Sequence, residues 1–227
     1  MNLQNPKKFK LLIDQAHEVA LNVLRPISRK YDKAEHAYPK ELDMLASVVD
    51  GMNAGSEGMN AGAAVNKRGD TDTSNKNGVN MSTALSIIEM CYGDTGLLLS
   101  MPRQGLGNSA IAAVANEEQL TRFEGTWAAM AITEPGCGSD SAAIRTTATK
   151  DGDDYILNGE KIFVTSGERA DSVVVWATLD KCLGRAAIKS FVVLKGTPGM
   201  KVERLEHKLG IKASDTAAIS FVDCRVP

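Results

Sequence analysis

Cysteine is scarce in this sequence, and its few copies show no pairing pattern. Four cysteines occur in 227 residues, at positions 91, 137, 182 and 224, and no two form a C-x-x-C pair. Small secreted scaffolds depend on dense disulfide frameworks, and structural zinc sites need closely spaced ligands. The three histidines show no metal-ligand spacing either. We therefore expect free thiols in a reducing cytoplasm and no metal site.

Long apolar runs and a strong net charge are also missing. No apolar stretch approaches the roughly 20 residues that cross a bilayer, and the N-terminal Met-Asn-Leu-Gln-Asn-Pro-Lys-Lys precedes no uninterrupted apolar segment. The 26 basic and 28 acidic residues give a formal net charge of -2. Such a balance exerts no general attraction on nucleic acid or on an anionic membrane. We expect a cytoplasmic protein without a membrane span, a secretory signal or a nucleic-acid partner.

The first half of the chain has helical periodicity. Apolar residues recur at threes and fours over residues 9–27, which is the spacing of one helical face. Pro26 is expected to kink or end this helix near Leu24, because proline lacks the N–H that a helix interior uses. Pro39 is expected to open a second helix. Further helical patterns cover residues 82–90, 95–101 and 116–123, so we predict an α-helical domain over residues 1–124.

Residues 51–80 interrupt that pattern. Gly-Met-Asn-Ala-Gly occurs at residues 51–55 and again at 58–62, and a polar run follows. Two copies are too few for a solenoid, which needs at least three stacked repeats. The composition predicts a long polar surface loop.

The second half is richer in β-branched residues. Val, Ile and Thr make up 25 of the 103 residues from 125 onward, against 17 of the 124 before. Asn158-Gly159 separates two short apolar runs and predicts a two-residue hairpin there. Other apolar strands are expected at 127–132, 172–179 and 188–194. Short strands without helices between them predict a small antiparallel β-barrel or sandwich over residues 125–227, and so an α+β fold.

Residues 105–110, Gly-Leu-Gly-Asn-Ser-Ala, match the G-x-G-x-x-A form of the dinucleotide-binding fingerprint. That fingerprint has a mechanism only between a strand and a helix of a βαβ unit. Pro102 and Arg103 interrupt any strand before it, so we interpret the segment as a turn that connects helices.

The segment with most chemical promise is 133–140, Thr-Glu-Pro-Gly-Cys-Gly-Ser-Asp, which follows the strand at 127–132. Its small residues leave the backbone bare, so main-chain N–H groups could converge on an acceptor, and Ser139 adds a hydroxyl. Taken alone, the residues fit a generic anion- or ring-binding loop and a plain tight turn equally well.

A second segment makes the pattern specific. Residues 158–167 read Asn-Gly-Glu-Lys-Ile-Phe-Val-Thr-Ser-Gly. Together with 133–140, this combination strongly resembles the acyl-CoA dehydrogenase family of flavoproteins. Residues 208–216 and 221–227 are similar to the close of that family's β domain, and 92–96 are similar to a turn in its helical domain.

The resemblance implies an FAD-dependent enzyme that oxidises an acyl-CoA thioester to a trans-2-enoyl-CoA. In this family a glutamate removes the α-proton, and the β-hydrogen leaves as hydride to the flavin. The resemblance further implies an electron-transferring flavoprotein as electron acceptor and a homo- or hetero-oligomeric assembly.

The resemblance also implies roles for individual residues. Met130, Ala131, Ile132, Thr133, Gly138 and Ser139 would lie along the flavin ring and pyrophosphate, and Phe163, Val164 and Thr165 would cover the other side. Ser139 would also approach the acyl-CoA. The family usually has tryptophan where Phe163 stands, so ring contact and redox tuning are expected to differ.

No carboxylate in this sequence matches the family's catalytic glutamate, which a C-terminal helical domain supplies. Glu134 belongs to the Thr-Glu-Pro turn and is not that base, so we assign no catalytic residue. The expectation is a truncated chain that lacks this domain and is inactive alone. Two alternatives remain open: an acyl-CoA oxidase-like flavoenzyme, and a catalytically silent subunit that assembles with a complete chain.

Overall fold

The computed structural model describes residues 7–54, 79–103 and 105–227. The polar loop expected at 51–80 falls largely outside these residues, but its two ends are helical, because 51–54 and 79–80 belong to helices. The chain divides into two compact units, one of residues 1–104 with 208–214 and one of 105–207 with 215–227. The composition change near residue 124 divides the chain differently, and the domain limits drawn from it stay a prediction.

The helical unit begins with a short 3-10 turn, Lys7–Phe9, and then helix α1, Lys10–Val19. A π-helical turn, Ala20–Leu24, follows and leads into α2, Arg25–Lys33. The kink or end expected at Pro26 is therefore a π turn directly before the proline, and the helix continues through it. A π turn widens the hydrogen-bonding pattern by one residue, which accommodates a residue without an N–H.

Two further helices of this unit lie within the described residues. Helix α3 spans Glu41–Ala54 and α4 spans Val79–Leu99. The backbone of Asp94 leaves helical geometry inside α4, with φ -171° and ψ 121°. Its carboxylate accepts a hydrogen bond from the Leu97 N–H at 2.8 Å and so caps the second half of α4. The core of the unit is formed by Leu24, Tyr31, Leu42, Leu97 and Ala213.

The second unit opens with two helices, α5, Leu106–Val114, and α6, Glu117–Arg122. Gly105 is the N-cap of α5, so the glycine-rich segment starts a helix. A Cβ on Gly107 would lie 2.3 Å from the Ala128 carbonyl oxygen, which shows that α5 packs directly on strand backbone. The interpretation of 105–110 as a turn is therefore wrong for residues 106–110, which lie in α5. No strand of the described chain precedes the segment, as the dinucleotide-binding fingerprint would require.

The strands of the unit form one curled, mixed sheet of seven strands, and two 3-10 helices, Ser141–Ala143 and Lys181–Ala187, connect some of them. The strands are β1 Ala128–Ala131, β2 Thr147–Asp151, β3 Asp154–Thr165, β4 Ser172–Thr178, β5 Ile188–Leu194, β6 Met200–Leu205 and β7 Thr216–Val226. They follow the order β1-β4-β2-β3-β7-β6, and β5 pairs with β4. The α+β fold is confirmed, although β4 pairs with β1 and β2 in parallel where antiparallel pairing was expected.

One face of this sheet carries the core. On β4 the residues Val173, Val175 and Ala177 alternate along the strand and belong to the core cluster. Ser172, Val174 and Thr178 are buried as well, so β4 is covered on both faces. Trp127, Leu157, Ile219 and Phe221 complete the same cluster. The cluster also includes Ala131 at the end of β1 and Val164 near the end of β3, so the core lies beneath the two motif segments.

The hairpin predicted at Asn158-Gly159 is wrong, because β3 runs straight through both residues. Opposite them, β7 contains an extra residue, and the Asp223 backbone there has φ 47°. The Asn158 side chain accepts a hydrogen bond from the Asp223 N–H at 2.9 Å and so holds this bulge. A Cβ on Gly159 would meet the Thr146 hydroxyl at 2.4 Å. The actual tight turn is Gly152–Asp153, between the paired Asp151 and Asp154.

All four cysteines are free, as expected. Across the residues that the structure describes, no helix combines the length and the apolar character needed to span a bilayer.

Candidate flavin site

The first motif segment continues directly from β1. After Ala131 the chain passes through Ile132 and Thr133 into a turn closed by two backbone hydrogen bonds between Glu134 and Cys137, at 2.9 and 3.1 Å. This turn matches the expected Pro-Gly turn. It directs the following residues, Gly138 and Ser139, toward solvent, where both are exposed.

The second segment is the end of β3, and hydrogen bonds bring it against the first. The Ile162 N–H donates to the Thr133 carbonyl oxygen at 2.9 Å. The Lys161 ammonium donates to the Ile132 carbonyl oxygen at 3.0 Å and to Glu134 Oε1 at 2.7 Å. The two segments that carry the family resemblance are therefore adjacent in the structure.

The Lys161–Glu134 ion pair is buried. The Lys161 side chain has 0% and the Glu134 side chain 5% of its surface exposed. The Glu134 carboxylate also accepts from the Arg145 N–H at 2.6 Å and from the Thr146 N–H at 3.0 Å. A buried charge is tolerated when it is paired and its remaining lone pairs are hydrogen-bonded, and this carboxylate meets both conditions.

The pKa values of this pair reflect burial and pairing in opposition. Burial would raise the pKa of Glu134, but the hydrogen bonds from Lys161 and from the two N–H groups outweigh it and lower the pKa below its usual value. Burial lowers the pKa of Lys161 against the opposing effect of Glu134. Glu134 is thus an anion held in place, which does not suit it to remove a proton from a substrate.

Phe163 lies on a β-bulge. Between Lys161 and Val164, β3 advances three residues while its partner β7 advances two. The Phe163 backbone takes up the extra residue with φ 58°, a left-handed conformation that is strained for a bulky side chain. Its ring is 60% exposed, whereas Val164 is 1% exposed. Strain of this kind is concentrated at functional sites.

The residues expected to contact flavin differ in exposure. Those open to solvent are Gly138, Ser139, Phe163 and Thr165, and those partly buried are Met130, Ile132 and Thr133. Ala131 and Val164 are buried in the core beneath. A flavin contact from these two positions would therefore come from the backbone.

The turn leaves space that the protein does not fill. A Cβ added to Gly136 or Gly138 would meet no atom within 4 Å. Packing within the chain therefore does not require glycine at either position, whereas the close approach of a ligand to the backbone would require it. Together with the outward Phe163 ring and the nearby Thr133 and Thr165, this open rim fits a planar ring with a polar edge.

The sequence reasoning missed the Lys161–Glu134 pair. A signal for the burial of Lys161 was present. Leu157 and Lys161 are four residues apart, so on a continuous strand they share one face, and Lys161 is expected to be buried with Leu157. The predicted hairpin at Asn158-Gly159 placed them in different strands and hid this relation. Glu134 was interpreted only as part of its turn.

The fold and the site match one family. The family model described as "Acyl-CoA dehydrogenase, middle domain" matches residues 129–224. The butyryl-CoA dehydrogenase from Megasphaera elsdenii superposes with a TM-score of 0.79 at 28% identity, over 100% of this chain and 58% of that one. The fold is that of the acyl-CoA dehydrogenases, and residues 129–224 belong to their middle-domain family. The resemblance stated from the two motifs is confirmed.

Two further relatives agree. The short-chain specific acyl-CoA dehydrogenase of Clostridium acetobutylicum is 32% identical over 234 residues, which cover 100% of this chain and 58% of that protein. A chain from a structure described as the electron transferring flavoprotein of Acidaminococcus fermentans has a TM-score of 0.80 and 31% identity, again over 100% of this chain and 58% of that one. The chain thus spans less than two thirds of the length of each relative.

Proposed function

We propose that this chain forms the flavin-binding part of an FAD-dependent acyl-CoA dehydrogenase, which converts an acyl-CoA thioester to a trans-2-enoyl-CoA. The observation that carries the proposal is the junction of two motif segments on one open rim. Hydrogen bonds from Lys161 and Ile162 form this junction. The family match over residues 129–224 and the names of the relatives support the same activity.

Residues on both segments would hold the cofactor. The Met130–Thr133 backbone, the Thr133 hydroxyl and the loop at Gly138 and Ser139 would contact one side, and Phe163 to Thr165 the other. Bound FAD would supply the ring that accepts a hydride. The chain itself would fix the ring's position and donate hydrogen bonds to its polar edge.

The acyl-CoA thioester would bind beside the same rim. Ser139 is exposed and lies next to the open space at Gly138, so its hydroxyl could reach a substrate. We propose an oligomer as the assembled form and an electron-transferring flavoprotein as electron acceptor. Support for the acceptor comes from the similar chain in the structure described as an electron transferring flavoprotein.

We assign no catalytic base. Glu134 is a carboxylate of the first motif segment, and it is occupied by Lys161 and two backbone N–H groups. We therefore expect weak FAD binding and no turnover from this chain alone. Production of enoyl-CoA by the pure 227-residue protein would contradict that expectation. The oxidase-like alternative predicts direct reoxidation of the reduced flavin by oxygen.

The proposal is tested by the flavin affinity of threonine variants. Thr133→Ala and Thr165→Ala should each lose a hydrogen bond to the cofactor, worth about 0.5–1.5 kcal/mol, and so raise the FAD dissociation constant about two- to tenfold. The measurement is a titration of FAD absorbance with protein.

Thr149→Ala is the matched control, because Thr149 is an exposed threonine on β2, away from both segments. Its FAD affinity should equal that of the unmodified chain. If all three variants bind FAD as the unmodified chain does, the ring does not lie against Thr133 and Thr165.

A further inference from the structure

Among the described residues, the buried pair of Lys161 and Glu134 is the only link between the two motif segments that involves charged side chains. Strand β1 pairs with β4, and β3 pairs with β2 and β7, so within the described part of the chain no ladder joins β1 to β3. The segments that follow β1 and end β3 are held together by other bonds. These are the two hydrogen bonds of the Lys161 ammonium and the one from the Ile162 N–H.

Stability alone does not account for this pair. Replacing a buried ion pair by neutral groups of similar volume is often neutral or even stabilising, because desolvation of the charges opposes their attraction. Lys161 is nevertheless among the largest of the fully buried side chains in the described part of the chain. A buried charged pair can instead fix one arrangement of the chain, since any other arrangement would leave the charges unpaired.

The position of the ammonium shows which arrangement it would fix. Lys161 lies two residues before the strained Phe163, and it binds the carbonyl of Ile132, directly before Thr133. A shift of either segment would break a hydrogen bond to a buried charge, which is worth more than a neutral one. Lys161 and the Ile162 N–H together therefore hold the spacing between Thr133 and Phe163.

We infer that Lys161 is a positioning residue for the flavin, which acts through Glu134 and the Ile132 carbonyl to hold the two segments at the separation that the ring requires. This inference rests on the proposed flavin site. It assigns to Lys161 a role in cofactor geometry without contact to the cofactor.

The test uses the full chain with the double substitution Lys161→Met and Glu134→Gln. Methionine keeps the length of the side chain, and no charge is left unpaired in the core. The Arg145 and Thr146 N–H groups bind different oxygens of Glu134, and glutamine keeps an acceptor for one of them. Lys30→Met with Glu41→Gln is the matched control, since it makes the same changes in a solvent-exposed pair.

Two readouts are measured, the FAD dissociation constant and amide hydrogen exchange in the absence of FAD. We expect the double variant to raise the dissociation constant about tenfold or more, as loss of hydrogen bonds to a charged group implies. We also expect faster exchange at the Ile162 N–H with unchanged protection along the β4–β5 ladder. The control variant should behave as the unmodified chain.

Unchanged affinity and unchanged exchange at Ile162 would overturn the inference. Loss of protection along the β4–β5 ladder as well would also overturn it, because the pair would then support the whole sheet. If the unmodified chain binds no FAD, the proposed function fails, while exchange at Ile162 still decides whether Lys161 holds the two segments together.

Discussion

Two lysine–glutamate pairs with the same separation behave differently in this molecule. Lys30 and Glu41 of the helical unit lie 2.7 Å apart, with 59% and 37% of their side-chain surfaces exposed. Lys161 and Glu134 of the β unit are also 2.7 Å apart, but their exposed fractions are 0% and 5%. Distance alone would rank the pairs equally. Burial makes the second pair costly to break and gives it a structural consequence that the first lacks.

The pKa values follow the same division. The hydrogen bond that Lys30 donates to Glu41 raises the pKa of Lys30 and lowers the pKa of Glu41 to about 2. Burial lowers the pKa of Lys161 instead. Water screens the exposed pair, so its shifted pKa values translate into little stability. Each charge of the buried pair is stabilised by its partner in place of water, so removal of either side chain leaves the other charge buried without a counter-ion.

The largest expected effect comes from removing the carboxylate alone. Glu134→Gln should lower the free energy of unfolding by about 3–5 kcal/mol, because the Lys161 ammonium stays buried without a counter-ion. The measurement is urea denaturation followed by tryptophan fluorescence. A loss no greater than that of a surface pair would show that water reaches Lys161 and that the comparison with Lys30 is wrong.

The next largest effect is expected from acid, which should weaken the buried pair. The pKa of Glu134 is lower in the folded chain than its usual value of 4.5, so the unfolded chain binds the proton more readily. The stability from Glu134 is therefore complete above about pH 4.5 and is lost as the pH falls through the folded-state pKa. The Lys161→Met, Glu134→Gln double variant should lose less stability below pH 4.5 than the unmodified chain, in urea titrations at several pH values. Parallel pH profiles would contradict this.

A smaller effect is expected at the β-bulge, where a substitution should weaken cofactor binding without lowering stability. Phe163→Gly relieves a left-handed strain of roughly 1–2 kcal/mol, and the added freedom of glycine in the unfolded chain opposes it by about 0.5–1 kcal/mol. Stability should stay level or rise slightly, while FAD affinity falls because an exposed ring is removed. Phe163→Ala keeps the strain and serves as the control. Equal loss of stability in both variants would show that Phe163 supports the fold.

The smallest effect is expected in the exposed pair. Glu41→Gln removes one charge beside Lys30, but solvent screens that charge and glutamine retains an acceptor for the Tyr31 hydroxyl, which donates to Glu41 at 2.5 Å. The urea midpoint should shift by a small fraction of the shift caused by Glu134→Gln. Comparable shifts of the urea midpoint in Glu41→Gln and Glu134→Gln would show that burial does not cause the difference between the two pairs.

Local patterns predicted most of the helical elements, but α5 was missed, because residues 105–110 were interpreted as a turn. The apolar spacing of residues 9–27 and the break before Thr95 correspond to α1, α2 and the interruption of α4 at Asp94. Asn116 caps α6 through a hydrogen bond from the Gln119 N–H, an interaction made within four residues. Helix signals of this kind depend on near neighbours, so a sequence contains them in full.

The β unit was predicted less well, because its irregular features depend on distant partners. Asn-Gly is a strong turn signal, yet Asn158 instead binds Asp223, and Gly159 makes room for Thr146. Neither contact can be recognised from residues 158 and 159. The parallel pairing of β1 with β4 is a long-range choice of the same kind.

The candidate site contains one feature that the sequence predicted and one that it did not. The two motif segments were recognised from their residues, and the structure brings them together. The ion pair that joins them was missed, since Lys161 and Glu134 are 27 residues apart and the incorrect hairpin separated Lys161 from its strand. The contact of each site residue with flavin stays a prediction.

The measurement that tests the account most directly is the visible absorbance spectrum of FAD with the purified chain at increasing protein concentration. The account predicts a saturable shift of the flavin band, because the ring leaves water for the rim formed by Thr133, Phe163 and Thr165. A spectrum identical to that of free FAD at every protein concentration would contradict the claim that these two segments form a flavin site.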